Sequence, residues 1–153
     1  MLNIKTKAPD FTLLDKDNKE VALHDFLGQK VVLYFYPMDD TPGCTVEACK
    51  FRDSYEAFKN LGTVVIGISK DSPKSHLNFV NKYELPFILL ADPNHEVIEK
   101  YDAWAEHAYF GKPEMATSRI TYLIDEEGYI IKAYAKVDPE TTAKEILDDL
   151  GTL

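Results

Sequence analysis

Apolar runs alternate with amphipathic stretches along this chain, and clusters of turn-forming residues separate them. Lys30 to Tyr36 (KVVLYFY) and Thr63 to Ser69 (TVVIGIS) are continuous apolar runs, suited to strands buried on both faces of a sheet. Pro37 ends the first. Phe87 to Leu90 predicts a third strand, and Arg119 to Ile124 with Tyr129 to Ala135 predicts a hairpin across Asp125-Glu126-Glu127-Gly128. Near the start, Lys7 to Leu14 predicts a short strand after Pro9. Glu20 to Leu23 is its hairpin partner, across the turn formers Asp15-Lys16-Asp17-Asn18.

Helical spacing fills most of the remaining segments. Ala48, Phe51, Tyr55 and Phe58 recur on one face of a helix predicted from about Pro42 to Asn60, which Gly62 stops. Ser72 as N-cap and Pro73 at the first helical position open another, running to about Tyr83. A short helix near His95 to Tyr101 follows Asp92-Pro93, and Asp138-Pro139 caps a last one ending near Leu150-Gly151. Trp104 to Lys112 carries no clear period. A hairpin followed by β-α-β-α-β-α-β-β-α gives a mixed α/β sheet covered on both faces. The layout resembles a thioredoxin-like α/β sandwich, with a mixed central sheet flanked by helices and an N-terminal β-hairpin extension. No linker, repeat or low-complexity stretch divides residues 1–153, so one domain is expected.

The chain's 153 residues suffice to bury about 70% of the unfolded surface. With 45% hydrophobic and 28% charged residues, the core needs no metal or disulfide to close it. A net charge of −9 argues against nucleic-acid and anionic-membrane partners, which require a basic face. No apolar run approaches the ~20 residues of a membrane span. Met1-Leu2-Asn3-Ile4-Lys5 has no signal-peptide core, so the cytoplasm is the expected compartment. The two cysteines, Cys44 and Cys49, are too few for a secreted disulfide framework. In a reducing compartment such a pair is redox-active, metal-binding or inert.

The segment Pro37-Met38-Asp39-Asp40-Thr41-Pro42-Gly43-Cys44-Thr45-Val46-Glu47-Ala48-Cys49 joins the end of a buried strand to the start of a helix. Open α/β sheets place their sites at such carboxyl strand ends. Thr41 is a good N-cap type and Pro42 a good first helical residue, which puts Cys44 in the first turn. Unpaired backbone N–H groups and the positive end of the helix dipole meet there, and both favour a thiolate. An unperturbed thiol is only about 3% ionised at pH 7, whereas helix-start cysteines ionise much more readily. A thiolate can attack a peroxide oxygen and become a sulfenic acid. Gly43 would let substrate approach the backbone closely, and Thr41 offers a hydroxyl near the sulfur.

Other chemistry stays open on residue types alone. His24, His76, His95 and His107 show no close pairing, and Cys-x4-Cys lacks two further ligands nearby, so no metal is expected. A cysteine hydrolase would need a histidine base near Cys44, a part that His107 could fill. A disulfide carrier usually needs Cys-x-x-Cys, which is missing. A thiol switch that binds partners when oxidised has no basic or low-complexity segment to support it. Tyr36 could pack the core or line a pocket. Trp104 with Tyr101, Tyr109 and Phe110 could pack together, wall a site or form a docking patch.

The motif segment resembles the peroxiredoxins, specifically the peroxiredoxin Q or bacterioferritin-comigratory type. Pro-x-x-x-Thr-x-x-Cys matches at Pro37, Thr41 and Cys44, and Thr-Pro-Gly-Cys-Thr-x-Glu-Ala-Cys continues into Phe51-Arg52-Asp53. The likeness spans essentially the whole chain, including Ala8-Pro9-Asp10-Phe11, Val65-Ile66-Gly67-Ile68-Ser69 and Arg119-Ile120-Thr121-Tyr122-Leu123-Ile124-Asp125.

This resemblance implies a thiol peroxidase reducing hydrogen peroxide and organic hydroperoxides, with a part in antioxidant defence. Cys44 would be the peroxidatic cysteine and Cys49 the resolving one, forming an intramolecular disulfide. Thr41 would orient the peroxide, Arg119 would stabilise the thiolate, and Pro37 would shield the sulfur. Arg119 is singled out by the resemblance alone. The family needs no metal, haem or flavin. Its members commonly draw electrons from thioredoxin or a similar dithiol protein, and a monomer, or at most a weak dimer, is expected. Residues five apart on a helix differ by about 140° in rotation and 7.5 Å in rise, which puts their Cα atoms about 8–9 Å apart. A disulfide tolerates about 7 Å, so that bond requires the first turns of the helix to unwind.

Overall fold

The two unbroken apolar runs pair in parallel at the centre of a seven-stranded sheet, as full burial on both faces requires. The computed structural model describes residues 1–109 and 111–153. In chain order the elements are β1 (Thr12–Asp15), β2 (Glu20–Ala22), β3 (Lys30–Phe35), α1 (Pro42–Asp53), α2 (Tyr55–Asn60), β4 (Thr63–Ser69), α3 (Pro73–Tyr83), β5 (Ile88–Ala91), α4 (Glu96–Lys100), β6 (Trp104–Tyr109), β7 (Lys112–Thr117), β8 (Thr121–Ile124), β9 (Ile130–Tyr134) and α5 (Thr142–Gly151). A 3-10 turn, Leu23–Phe26, follows β2. The sheet order is β2-β1-β5-β4-β3-β8-β9, with β5, β4 and β3 parallel and β1 and β8 joining them antiparallel. The N-terminal hairpin is therefore an edge of the main sheet.

Alternation along β3 divides the core in two. Val32, Tyr34 and Tyr36 face one side, where Ala48 and Phe51 of α1, Phe58 of α2, Phe79 of α3 and Ile146 of α5 cover them. Val31, Leu33 and Phe35 face the other, against Val97 and Ile98 of α4, Tyr101 and Tyr122. This is the helix-flanked thioredoxin-like sandwich read from the sequence. Among the described residues no helix is long and apolar enough to cross a membrane.

Two local expectations need correction, and one stretch without a prediction resolves. The single helix expected over Pro42 to Asn60 is two, because Ser54 adopts φ −99° and ψ 3° and breaks it. Serine competes for backbone groups and so is a weak interior helix former. The last helix begins at Thr142, since the Asp138 carbonyl accepts from the Thr141 and Thr142 amides in a preceding turn. From the stretch without a clear period, Trp104–Tyr109 and Lys112 belong to a two-stranded pair, β6–β7, that is separate from the main sheet. Most of β7 is exposed, so it lacks an apolar alternation to detect.

Close packing under the site leaves one position with no tolerance for a side chain. A methyl on Gly67 of β4 would come within 2.8 Å of both the Tyr34 ring and the Leu89 side chain. Gly67→Ala is expected to lower stability by about 1–3 kcal/mol through overpacking, measured by urea denaturation of the reduced protein. An unchanged midpoint would show that this layer is loosely packed.

Candidate active site

The antiparallel register of β3 and β8 pairs Tyr34 with Thr121. Carrying that register two residues further sets Arg119 level with Tyr36, at the carboxyl end of β3. The loop of residues 37–41 leaves from the same point and enters α1. Two segments far apart in sequence thus converge, and the guanidinium reaches the first turn of the helix. Arg119 Nη2 donates to Cys44 Sγ at 3.3 Å, and Nη1 donates to Glu47 Oε1 at 3.2 Å.

Cys44 is 1% exposed and sits in the apolar layer with Tyr34, Ala48 and Phe51. A guanidinium at hydrogen-bond distance, in a site largely closed to water, favours negative charge on that sulfur. Both cysteines are free thiols, Cys44 buried and Cys49 half-buried, and both lie within the intact α1.

Gly43 leaves room for a side chain from elsewhere in the chain. A Cβ at this position would lie 2.7 Å from Arg119 Nη2 and 3.9 Å from Pro139. The missing side chain makes room for the guanidinium. Thr41 differs from expectation. It occupies the N-cap position with extended backbone, but its hydroxyl donates to the Met38 carbonyl at 2.9 Å and does not cap the helix. The first-turn amides therefore lack a side-chain acceptor, leaving donors for an incoming oxygen. Pro37, Met38, Thr41 and Arg119 line a groove of about 800 Å³ that Trp104, Met115 and Thr117 of the β6–β7 hairpin wall on the far side.

A buried polar network holds the loop before α1. The Tyr36 hydroxyl donates to Asp39 Oδ1 at 2.5 Å, and Ser75 Oγ donates to Asp39 Oδ2 at 2.8 Å. His76 Nδ1 lies 2.7 Å from Asp39 Oδ2, and its Nε2 lies 3.0 Å from the Leu90 carbonyl oxygen. The Asp39 amide donates to Asp71. Tyr36 is therefore a core residue with a role in holding this loop. Of the expected aromatic cluster, Tyr101 packs in the opposite core layer and Trp104 walls the groove, stacked on His95 at 4.1 Å. Phe110 and the Tyr109 side chain lie outside the described residues. Among the described residues no group of three or more His, Cys, Asp or Glu is placed to hold a metal. His107 Nε2 meets Ser118 Oγ at 3.0 Å.

Two functional candidates escaped the sequence reading although their spacing carried a signal. Glu47 follows Cys44 by three residues on the same face as Ala48 and Phe51, so helical periodicity already places a carboxylate inside. It is 1% exposed, Arg119 binds its Oε1, and its Oε2 has no hydrogen-bond partner. Burial pushes its carboxyl up from 4.5 to about 7, against the opposing charge and hydrogen bond of Arg119. His76 likewise shares the spacing of Phe79 and Val80 on α3 and is fully buried.

Comparison with known proteins fits this geometry. The AhpC/TSA family model matches residues 4–133. The chain is 46% identical over 149 residues to peroxiredoxin Bcp of Bacillus subtilis, covering 97% of this chain and 95% of that protein. It is 44% identical to the chloroplastic peroxiredoxin Q of Populus jackii, over 95% of this chain and 66% of that one. Among solved structures, the Xanthomonas campestris bacterioferritin comigratory protein, described for its alkyl peroxide reduction activity, superposes with a TM-score of 0.90. Their identity is 30%, over 98% of each chain.

Gly43→Ala should push the guanidinium off the sulfur. Losing one charge-assisted hydrogen bond of about 1.5–3 kcal/mol should slow alkylation of Cys44 by iodoacetamide roughly 10- to 100-fold at neutral pH. An unchanged rate would mean that Arg119 does not stabilise the reactive form. Glu47 makes a second prediction. Between pH 4.5 and about 7 the folded chain keeps a proton that the unfolded chain releases. Stability should therefore fall as pH rises through that window, by on the order of 3 kcal/mol from this residue. Urea titrations across the window should show a shallower fall for Glu47→Gln than for the wild type; identical slopes would contradict it.

Proposed function

The chain belongs to the AhpC/TSA family, in its peroxiredoxin Q/Bcp branch, and on that premise we propose that Cys44 is the peroxidatic thiolate of a hydroperoxide reductase. Cys49 resolves it, Thr41 and Arg119 bind the reacting oxygens, and Pro37 shields the sulfur. One observation carries this assignment: a buried cysteine sulfur in the first turn of a helix, 3.3 Å from a guanidinium donor that also lines a groove.

Cys44 thiolate attacks the terminal oxygen of a peroxide, the O–O bond breaks, and the products are a sulfenic acid and an alkoxide or hydroxide that takes up a proton. Arg119 and the first-turn amides donate to the oxygens as negative charge moves onto the leaving one. No metal or organic cofactor is needed, because sulfur carries both electrons. The Cys49 thiol then displaces water from the sulfenic acid to form a Cys44–Cys49 disulfide.

Five residues of intact helix separate the two sulfurs too far for that bond. The start of α1 therefore unwinds before it forms. A helix whose first turns are capped by no side chain, above a loop held by one buried network, suits that demand. Unwinding brings the half-buried Cys49 outward, where thioredoxin or a similar dithiol protein can reduce the disulfide by exchange. The cycle suits a monomer in the reducing cytoplasm, built as one domain over residues 1–153.

Intact-mass measurement tests the cycle. One equivalent of hydrogen peroxide should remove two hydrogens from the reduced protein, with Cys44 and Cys49 linked in one peptide. Cys44→Ser should lose peroxide turnover entirely. Cys49→Ser should gain one oxygen on Cys44 and then stall with thioredoxin as reductant. Normal cycling of Cys49→Ser would exclude Cys49 as the obligatory resolver, and turnover by Cys44→Ser would exclude the whole assignment.

A further inference from the structure

Arg119 has two acidic partners and one positive charge. Its Nη2 meets Cys44 Sγ at 3.3 Å and its Nη1 meets Glu47 Oε1 at 3.2 Å. A thiolate and a carboxylate together would leave one uncompensated negative charge inside the protein, which burial penalises heavily. Glu47 is 1% exposed, and its second oxygen, Oε2, is buried with no hydrogen-bond partner. An ionised carboxylate wants acceptor bonds on both oxygens; a protonated one can carry its proton on the unpartnered atom.

We infer that Glu47 holds the proton that Cys44 gives up, and returns it to the oxygen that leaves the peroxide. This rests on Cys44 as the peroxidatic residue and deepens that assignment.

The step balances. Cys44 thiolate, protonated Glu47 and ROOH become Cys44 sulfenic acid, ionised Glu47 and ROH. The S–O bond forms as the O–O bond breaks, sulfur loses two electrons to the peroxide oxygens, and the Glu47 proton ends on the leaving alkoxide. Arg119 faces one anion before the step, the thiolate, and one after it, the carboxylate. The buried site never carries two.

The surroundings support exchange within the site. Burial raises the Glu47 carboxyl to about 7, where it can hold or release a proton near neutral pH. Arg119, from the connection before β8, bonds to it, Tyr34 of β3 is close enough to feel its charge, and Cys44 lies one turn back on the same helix. The Tyr34 hydroxyl is itself buried without a partner, and burial, with Glu47 and Cys44 nearby, keeps it protonated. The apolar layer that holds Cys44, Ala48 and Phe51 of α1 also contains Phe58, Phe79, Phe87, Ala143, Ile146 and Leu150, which carry no charge.

Glu47→Gln separates proton supply from positioning, because the Gln carbonyl can still accept from Arg119. Three reagents should be tried against Cys44. Iodoacetamide needs the thiolate but expels iodide, which takes no proton. A peroxy acid expels a carboxylate, which also takes none at neutral pH. tert-Butyl hydroperoxide expels an alkoxide, which does. In Glu47→Gln the rate with the alkyl hydroperoxide should fall roughly 10²-fold, the size of a general-acid contribution. The other two rates should hold or rise. Equal losses with all three reagents would reduce Glu47 to a support for Arg119. No loss with any would remove it from the reaction. A wild-type protein whose Cys44 is oxidised by no peroxide, neither to sulfenic acid nor to the disulfide, would instead overturn the peroxidase assignment itself.

Discussion

One guanidinium, that of Arg119, is the charge around which this site is built. It lies between the Cys44 sulfur and the Glu47 carboxylate at hydrogen-bond distance from each. Negative charge on the sulfur is tolerable in the apolar layer beneath α1 because this cation is beside it. The absent Cβ at Gly43 gives the guanidinium its place, and the neighbouring helix start supplies amides without a side-chain acceptor.

The fold delivers that contact through strand register rather than local sequence. β3 and β8 are neighbours in the sheet, and their pairing brings Arg119 to the strand end from which the loop to α1 departs. The loop is then fixed from below by Asp39, which gathers Tyr36 from the end of β3 and Ser75 and His76 from α3. Rigidity below and an uncapped helix start above divide the labour. In the proposed cycle the reacting atoms are held in place while the peroxide is cleaved, yet the same helix turn is the part that must open for Cys49 to reach Cys44.

Much of this was readable before any coordinates. Unbroken apolar runs placed β3 and β4, Ser72-Pro73 placed the start of α3, and Thr-Pro-Gly-Cys marked a helix start with Cys44 in its first turn. Arg119 was not readable from residue patterns, because its partners depend on a pairing between strands; only the family resemblance singled it out. The β6–β7 hairpin escaped because its exposed residues carry no alternation. Glu47 and His76 sat at core spacings on their helices, so periodicity held the information, but polar residues on an apolar face are easily passed over. Gly43 was noticed for its small size, while the group that fills the space came from elsewhere in the chain.

The most direct measurement is the second-order rate at which one equivalent of hydrogen peroxide oxidises Cys44 in wild type, Arg119→Lys and Arg119→Ala. The account predicts a loss of about 10²-fold or more for Arg119→Ala and an intermediate rate for Arg119→Lys, which keeps the charge but not the two-pronged contact. Equal rates in all three proteins would show that the cation beside the sulfur does not govern its chemistry, and would contradict the account.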